Sequence, residues 1–194
     1  MKVAIVKYNA GNVESVKNAL NRLGVKPILT GDAETLQTAD RVIFPGVGEA
    51  STAMNYLRER NLDKTIAALE QPVLGICLGM QLLCEFSEEN ATHCLGILPY
   101  KVRRFADKKL KVPQIGWNNI FGLQSALFEG IAENSFVYFV HSFYVEDGTE
   151  TIAVCDYGLN FSAAVNYKNF YAVQFHTEKS GAVGERILEN FLKI

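Results

Sequence analysis

The chain has 194 residues, of which 48% are hydrophobic and 21% charged, and a formal net charge of −2. This composition is typical of a globular protein, and we expect residues 1–194 to form a single domain with a substantial core. The small net charge, without long Lys/Arg runs, argues against a dedicated nucleic-acid or membrane-surface protein. The four cysteines form no CxxC pair and no metal-ligand spacing, which predicts a reduced, cytoplasmic protein without a metal site.

The first half of the chain alternates between short apolar runs and segments with helical spacing. The runs predict strands at residues 3–6, 27–30, 42–44 and 73–76. The helical spacing predicts helices at residues 12–23, 51–60, 62–69 and 79–86. Alternation of this kind predicts a mostly parallel central sheet flanked by helices.

The second half, from about Gly96, has shorter, aromatic-rich segments that turn residues separate. These segments predict antiparallel strands at residues 97–105, 136–140, 143–146, 152–155 and 161–167. A further strand is predicted at residues 171–175. An amphipathic helix is predicted at residues 181–193. The predicted fold class is therefore α/β, with a mostly parallel sheet and additional antiparallel strands in the second half.

Residues 75–81 (GICLGMQ) place a cysteine between glycines at the end of an apolar run. The pattern predicts a strand, a tight turn and a helix, which together form a nucleophile elbow with Cys77 at the turn. The start of a helix offers free backbone N–H groups and a positive dipole end, and these favour a thiolate. A buried structural cysteine is the alternative interpretation.

A predicted strand ends at Phe175, and His176 and Glu178 follow directly. The carboxyl ends of parallel strands meet at one edge of the sheet, so Cys77 and His176 are expected to lie close together. Cys77 would attack a carbonyl carbon, and His176 would transfer the proton to the leaving amine. Glu178 would orient the imidazolium, which completes a Cys-His-Glu triad.

The turn after the predicted strand 42–44 contains Gly46, Val47 and Gly48. Glycine lets a backbone N–H approach an oxyanion where a β-carbon would obstruct it. We therefore expect this turn to supply one oxyanion donor and the Leu78 N–H to supply the other. Gln81 lies four residues after Cys77 and shares its helix face, so its amide could bind an amino-acid ligand, although a capping or core role fits the spacing equally well.

Residues 75–81 and 174–178 (QFHTE) occur in the order and separation typical of the class I, triad-type glutamine amidotransferases. The chain resembles that family over nearly its whole length. Within the family it is similar to the glutaminase subunits that work with a separate cyclase in histidine biosynthesis. Further matching segments are residues 8–16, 45–48, 113–118, 138–144 and 178–180.

The resemblance implies a heterodimer in which this chain hydrolyses glutamine to glutamate and ammonia. The ammonia would pass through a channel to a cyclase subunit with a (β/α)8 barrel, which uses it to make imidazole glycerol phosphate. No cofactor, nucleic acid or membrane belongs to this scheme.

The resemblance also implies roles for individual residues. Cys77, His176 and Glu178 would be catalytic, and Gly46, Val47 and Leu78 would surround the oxyanion. The glutamine substrate would contact Gly48, Gln81, Ser142 and Phe143. The partner protein would lie near Asn12 and Lys179.

Two positions depart from the family pattern. Thr177 stands where the family usually has proline, which would fix φ and remove a donor. We therefore expect a slightly looser His176–Glu178 geometry. Phe143 stands where tyrosine is more usual, with little consequence if only its backbone contacts glutamine.

Two other functions remain open from the sequence. One is a glutaminase with a different partner, as in anthranilate-type or sugar-modifying systems, although the segments around Trp117 and residues 138–144 argue against it. The other is a silent subunit that binds glutamine without hydrolysing it. Retention of Cys77, His176 and Glu178 argues against a silent subunit.

Overall fold

The computed structural model describes residues 1–9 and 11–194. Within them the β-strands are β1 (Val3–Val6), β2 (Ile28–Thr30), β3 (Arg41–Gly46), β4 (Val73–Cys77), β5 (Cys84–Ser87), β6 (Thr92–His93), β7 (Leu98–Arg104), β8 (Gln114–Ile120), β9 (Ser135–His141), β10 (Phe143–Val145), β11 (Thr151–Asp156), β12 (Asn160–Tyr167) and β13 (Phe170–Val173). The α-helices are α1 (Val13–Arg22), α2 (Ala33–Gln37), α3 (Ala50–Glu59), α4 (Leu62–Ala67), α5 (Leu78–Leu83) and α6 (Gly181–Lys193).

One large sheet organises the chain, and its first half is parallel. The strand order is β2-β1-β3-β4-β13 in this half, and every neighbouring pair runs in the same direction. All five residues of β4 are buried, as expected for a central parallel strand covered on both faces. The register places Gly46 of β3 beside Cys77 of β4, so the two predicted site segments leave the sheet together.

The sheet continues through β12, β10, β7, β5 and β6, and β11 pairs with β12. All of these pairings are antiparallel except the parallel pair of β5 and β7. Strands β8 and β9 form a separate antiparallel ribbon. The predicted α/β class, parallel first and largely antiparallel afterwards, is confirmed.

Two apolar cores cover the two faces of the parallel half. One core includes Leu20 of α1 and Phe191 of α6, and the other includes Leu57 of α3, Ile66 of α4 and Leu82 of α5. Alternate residues of the strands feed the two cores because successive side chains of a strand point to opposite faces. Among the described residues, no helix has the length and apolarity needed to cross a membrane.

The predicted helix at residues 79–86 is wrong in its second half. Helix α5 ends at Leu83, and the backbone at Cys84 is extended, with φ −69° and ψ 176°. Cys84–Ser87 forms β5 because its backbone groups pair with β6 and β7. Both of these strands lie outside the short window in which the helical spacing was found. Strand β8 was not predicted, since Gly116 and two asparagines interrupt its apolar alternation.

Gly79 brings α5 into direct contact with the backbone of β3. A β-carbon at this position would lie 1.8 Å from the Phe44 carbonyl oxygen and 2.9 Å from its carbonyl carbon. The obstacle is backbone in the centre of the sheet, which cannot move aside as a flexible side chain could. Only glycine allows the helix after Cys77 to pack this closely.

We expect Gly79→Ala to destabilise the protein by at least about 3 kcal/mol, because the methyl group overlaps a fixed carbonyl. The control is Gly122→Ala, where φ is +64° and no atom lies within 4 Å of the added carbon. That variant isolates the cost of a left-handed backbone, about 1 kcal/mol. Urea unfolding of both variants measures the difference, and equal losses would contradict the steric argument.

Candidate active site

The predicted site residues meet at the carboxyl ends of three adjacent parallel strands. Gly46 ends β3, Cys77 ends β4, and His176 follows β13 by three positions. This edge of a parallel sheet is the usual position of sites in α/β proteins. The topology therefore brings together residues that are 31 to 130 positions apart in the sequence.

Cys77 lies at a strained turn between β4 and α5. Its backbone has φ 54° and ψ −109°, in a region that residues with a side chain rarely adopt. Such strain costs about 1–3 kcal/mol and persists only where the surrounding packing imposes it. The turn agrees with the predicted nucleophile elbow, and Cys77 is 6% exposed beside the first turn of α5.

His176 and Glu178 form a buried pair behind Cys77. The His176 Nδ1 atom lies 2.7 Å from Glu178 Oε1, and the two side chains are 2% and 0% exposed. The backbone N–H of His176 donates to the Tyr138 carbonyl of β9 at 2.9 Å. Burial alone lowers the pKa of His176, but hydrogen bonds and charge interactions with Cys77 and Glu178 raise it to about 10. The arrangement therefore favours an imidazolium beside Cys77 at neutral pH.

Asn12 extends this pair toward α1. Its Nδ2 atom donates to Glu178 Oε1 and lies 3.5 Å from His176 Nδ1. The sequence suggested only a place near a partner interface for this half-buried residue. The structure adds a contact with the carboxylate that holds the imidazole.

The turn at Gly46 is tightly enclosed. A β-carbon there would lie 2.1 Å from the Tyr8 hydroxyl and 3.1 Å from Leu78 Cβ. The Tyr8 hydroxyl donates to the Pro45 carbonyl at 2.7 Å, and burial followed by the charge of Cys77 raises the pKa of Tyr8, so the phenol stays neutral. At Gly48 φ is +122°, a backbone conformation that favours glycine.

A cavity of about 330 Å³ opens at this edge of the sheet. It is large enough for an amino acid, and its walls come from six separate chain segments. The lining residues are Val47, Gly48, Cys77, Leu78, Gln81, Glu89, Pro113, Val140, His141, Ser142, Phe143, His176 and Lys179. Of the predicted site residues, Gly46, Asn12 and Glu178 are outside this lining and contact residues that belong to it.

Gln81 points its amide into a network of fixed partners. Its Nε2 atom donates to the Phe143 carbonyl at 3.1 Å and to Gln174 Oε1 at 2.9 Å. Both amide hydrogens are thereby used, so Oε1 is the atom that can accept a hydrogen bond from a ligand.

Glu89 is a cavity residue that the sequence analysis missed. Its Oε2 accepts from the Ala50 N–H at 2.7 Å, and burial is the main cause that raises its pKa. The end of α5 and all of β5 separate Glu89 from Gln81 in the sequence. No motif spacing therefore indicates that the two residues line one cavity. A carboxylate that lines the same cavity as the Gln81 amide forms a suitable site for an α-ammonium group.

His141 is structural in this arrangement. Its Nδ1 lies 2.6 Å from the Phe143 carbonyl, and its Nε2 lies 2.8 Å from the Gln114 amide. Burial lowers the pKa of His141 to about 4. The imidazole is therefore neutral and holds the Phe143 carbonyl, which also accepts from Gln81. In the described part of the chain, no group of three or more His, Cys, Asp or Glu side chains is arranged to hold a metal ion.

The sequence matches the family model of class I glutamine amidotransferases over residues 4–194. The chain belongs to this family.

Among its relatives is the imidazole glycerol phosphate synthase subunit HisH of Bacteroides fragilis strain YCH46, which is 58% identical over 100% of both chains. The protein of the same name from Escherichia coli K12 is 45% identical over 100% of both chains. A crystal structure of a glutamine amidotransferase from Thermotoga maritima has a TM-score of 0.67 at 18% identity, covering 100% of this chain and 83% of that chain. At that identity the structural match concerns the fold.

Thr177 lies between the two residues of the buried pair and is itself 1% exposed. Its hydroxyl oxygen is buried and has no hydrogen-bond partner among the described residues. It is the first residue of a single 3-10 turn, Thr177–Lys179, and the preceding residue is extended, with φ −88° and ψ 100°. Proline is well accommodated at the first position of a helical turn after an extended residue.

We expect Thr177→Pro to raise the free energy of unfolding by about 1 kcal/mol, since it restricts the unfolded chain and removes an unpaired buried hydroxyl. Thr177→Val is the matched control, because it removes only the hydroxyl. Thermal unfolding measured calorimetrically should rank proline above valine and valine above threonine. A less stable proline variant would show that the Thr177 N–H is needed.

Proposed function

We propose that the chain is a glutaminase that uses Cys77, His176 and Glu178 as its catalytic triad. The observation that carries the proposal is the buried His176–Glu178 pair beside a thiol at a strained elbow, next to a cavity of amino-acid size. Membership of the class I glutamine amidotransferases supports the same reaction. A single amidotransferase domain covering residues 1–194 is part of the proposal.

The reaction begins with attack of the Cys77 thiolate on the side-chain carbonyl carbon of glutamine. The negative charge moves to the carbonyl oxygen, and N–H groups at Leu78 and the Gly46–Val47 turn stabilise it. The His176 imidazolium gives its proton to the amide nitrogen, the C–N bond breaks, and ammonia leaves. Neutral His176 then takes a proton from water, the hydroxyl attacks the thioester, and glutamate leaves while the thiolate is restored.

The amino-acid end of glutamine would occupy the opposite end of the cavity. The Gln81 oxygen and the Glu89 carboxylate would accept hydrogen bonds from the α-ammonium group. Backbone groups at Gly48, Ser142 and Phe143 would hold the remaining polar atoms, which makes the identity of the Phe143 side chain secondary.

We further propose that the partner is a cyclase subunit with a (β/α)8 barrel and that ammonia passes directly to it. Support comes from the relatives named as subunits of imidazole glycerol phosphate synthase. The β8–β9 ribbon offers a suitable surface: its outer side chains Ile115, Trp117 and Phe136 are 58%, 55% and 58% exposed. Large apolar side chains exposed together mark an interaction surface.

This ribbon surface is continuous with the candidate site. Trp117 pairs in register with Tyr138, whose carbonyl accepts from the His176 N–H. Val140 of the same strand lines the cavity, and Lys179 and Asn12 lie on the neighbouring segments. A partner that covers the ribbon would therefore enclose the cavity from which ammonia leaves. A cytoplasmic location belongs to the same proposal, and the four free cysteines support it.

The catalytic assignment predicts that Cys77→Ala and Cys77→Ser lower glutamate release by at least about 1,000-fold. The fold should be retained, because the contacts that alanine loses, with the Val140 carbonyl and the Gln174 amide at 3.8 Å each, involve the sulfur and not the backbone of the elbow. Cys94→Ala is the matched control, since Cys94 is a half-buried free cysteine that does not line the candidate cavity. Glutamate assays and circular dichroism measure both properties, and substantial residual activity in both Cys77 variants would refute the triad.

The partner assignment predicts that glutamate release by the isolated chain is slow and rises strongly when the cyclase is added together with its substrate. Trp117→Ala should weaken binding of the cyclase by about 30-fold, as for a central aromatic anchor. Ile28→Ala is the control, because Ile28 is also exposed but lies on the β2 edge of the sheet. Equal turnover with and without the cyclase would leave the glutaminase assignment intact and refute the coupling.

A further inference from the structure

A buried glutamine lies beneath the candidate nucleophile and has no role in the mechanism above. Gln174 follows β13 directly and is 0% exposed. Its backbone N–H donates to the Ala163 carbonyl at 2.8 Å, which fixes the segment against β12. A buried amide is costly unless its polar atoms are paired, so the partners of its side chain are informative.

The side chain of Gln174 connects two parts of the candidate site. Its Oε1 accepts from Gln81 Nε2 at 2.9 Å, and its Nε2 lies 3.8 Å from Cys77 Sγ. Gln81 in turn donates to the Phe143 carbonyl at 3.1 Å. A continuous chain of hydrogen bonds therefore leads from Phe143 through two amides to the sulfur.

The donor-to-acceptor direction of these hydrogen bonds is fixed at the Phe143 end. The Phe143 carbonyl can only accept hydrogen bonds, so Gln81 must present its NH2 group to it. The same NH2 group then faces Gln174, which must present its oxygen, because two NH2 groups cannot pair. The only remaining orientation places the Gln174 NH2 group toward Cys77. His141 Nδ1, 2.6 Å from the same carbonyl, helps to hold this end in place.

We infer that Gln174 is a positioning residue that donates an N–H to the Cys77 thiolate and links it to the substrate-binding amide of Gln81. The inference deepens the proposed glutaminase function and rests on it for the role of the thiolate. An N–H donor beside sulfur favours the anionic form before attack and again when the thioester breaks. The bond to Gln81 fixes the spacing between the nucleophile and the amino-acid end of the cavity.

The test follows alkylation of Cys77 by iodoacetamide as a function of pH, using the mass of the Cys77 peptide as the readout. In Gln174→Met, which has a similar volume and no donor, the pH midpoint of alkylation should rise by about one unit, a tenfold change in the thiolate fraction. With the cyclase present, kcat for glutamate release should fall at least about tenfold. His176 and Tyr8 are the titratable groups that face Cys77, and both are unchanged in this variant.

The control is Asn190→Leu. Asn190 is another buried amide, 4% exposed, and it donates to the Leu127 and Glu129 carbonyls at 3.0 and 2.9 Å, away from the cavity. Its loss should reduce stability without moving the alkylation midpoint.

An unchanged midpoint in a folded Gln174→Met variant would overturn the inference, whatever happens to kcat. If the methionine variant does not fold, Gln174→Asn serves as the test, since it keeps a polar amide but withdraws it from the sulfur. The alkylation midpoint of this variant should also rise. An unchanged midpoint would again overturn the inference. Alkylation needs no substrate, so this outcome is distinct from a failure of the glutaminase proposal, which would appear as absent glutamate release by the unmodified complex.

Discussion

The candidate site depends on one constraint, the sharp reversal of the backbone at Cys77. The left-handed φ of this residue is unfavourable by itself, and close packing on both sides maintains it. Gly79 allows α5 to rest on the Phe44 carbonyl, and a β-carbon at Gly75 would lie 2.8 Å from Leu83. The reversal aims the thiol at the cavity, starts a helix behind it and places Gln81 one turn further along the same face.

A second set of contacts positions the segment that carries His176 and Glu178 relative to this elbow. Ser180 Oγ donates to the His176 carbonyl at 2.6 Å and accepts from the Tyr138 N–H at 2.9 Å. The His176 N–H returns a bond to the Tyr138 carbonyl. Strand β9 is therefore bonded directly to His176 and to Ser180, which follows Glu178 by two positions. The outer face of that strand belongs to the exposed ribbon surface, so the proposed partner surface and the imidazole are joined through two backbone groups of a single residue, Tyr138.

Local patterns predicted much of this architecture. The strand, turn and helix around Cys77 and the strand before His176 lie within short windows, where apolar runs and glycines are decisive. The strand at residues 84–87 could not be predicted, because the pairing of these residues with β6 and β7 outweighs their helical spacing. Glu89 and the Gln81–Gln174 link were missed for a related reason: burial and tertiary contacts define them, and no sequence interval does. Thr177 was recognised as a departure, but only the structure shows that its hydroxyl is buried without a partner.

The contact between α6 and the turn at Thr177 has a wider consequence. A β-carbon at Gly184 of α6 would lie 1.9 Å from the Thr177 carbonyl oxygen, so helix and turn pack backbone against backbone. The carboxyl-terminal helix is thus part of the support of the imidazole, and not merely a cover for the sheet. Truncation within α6 would therefore disturb the alignment of His176 at the same time as it removes core residues such as Phe191.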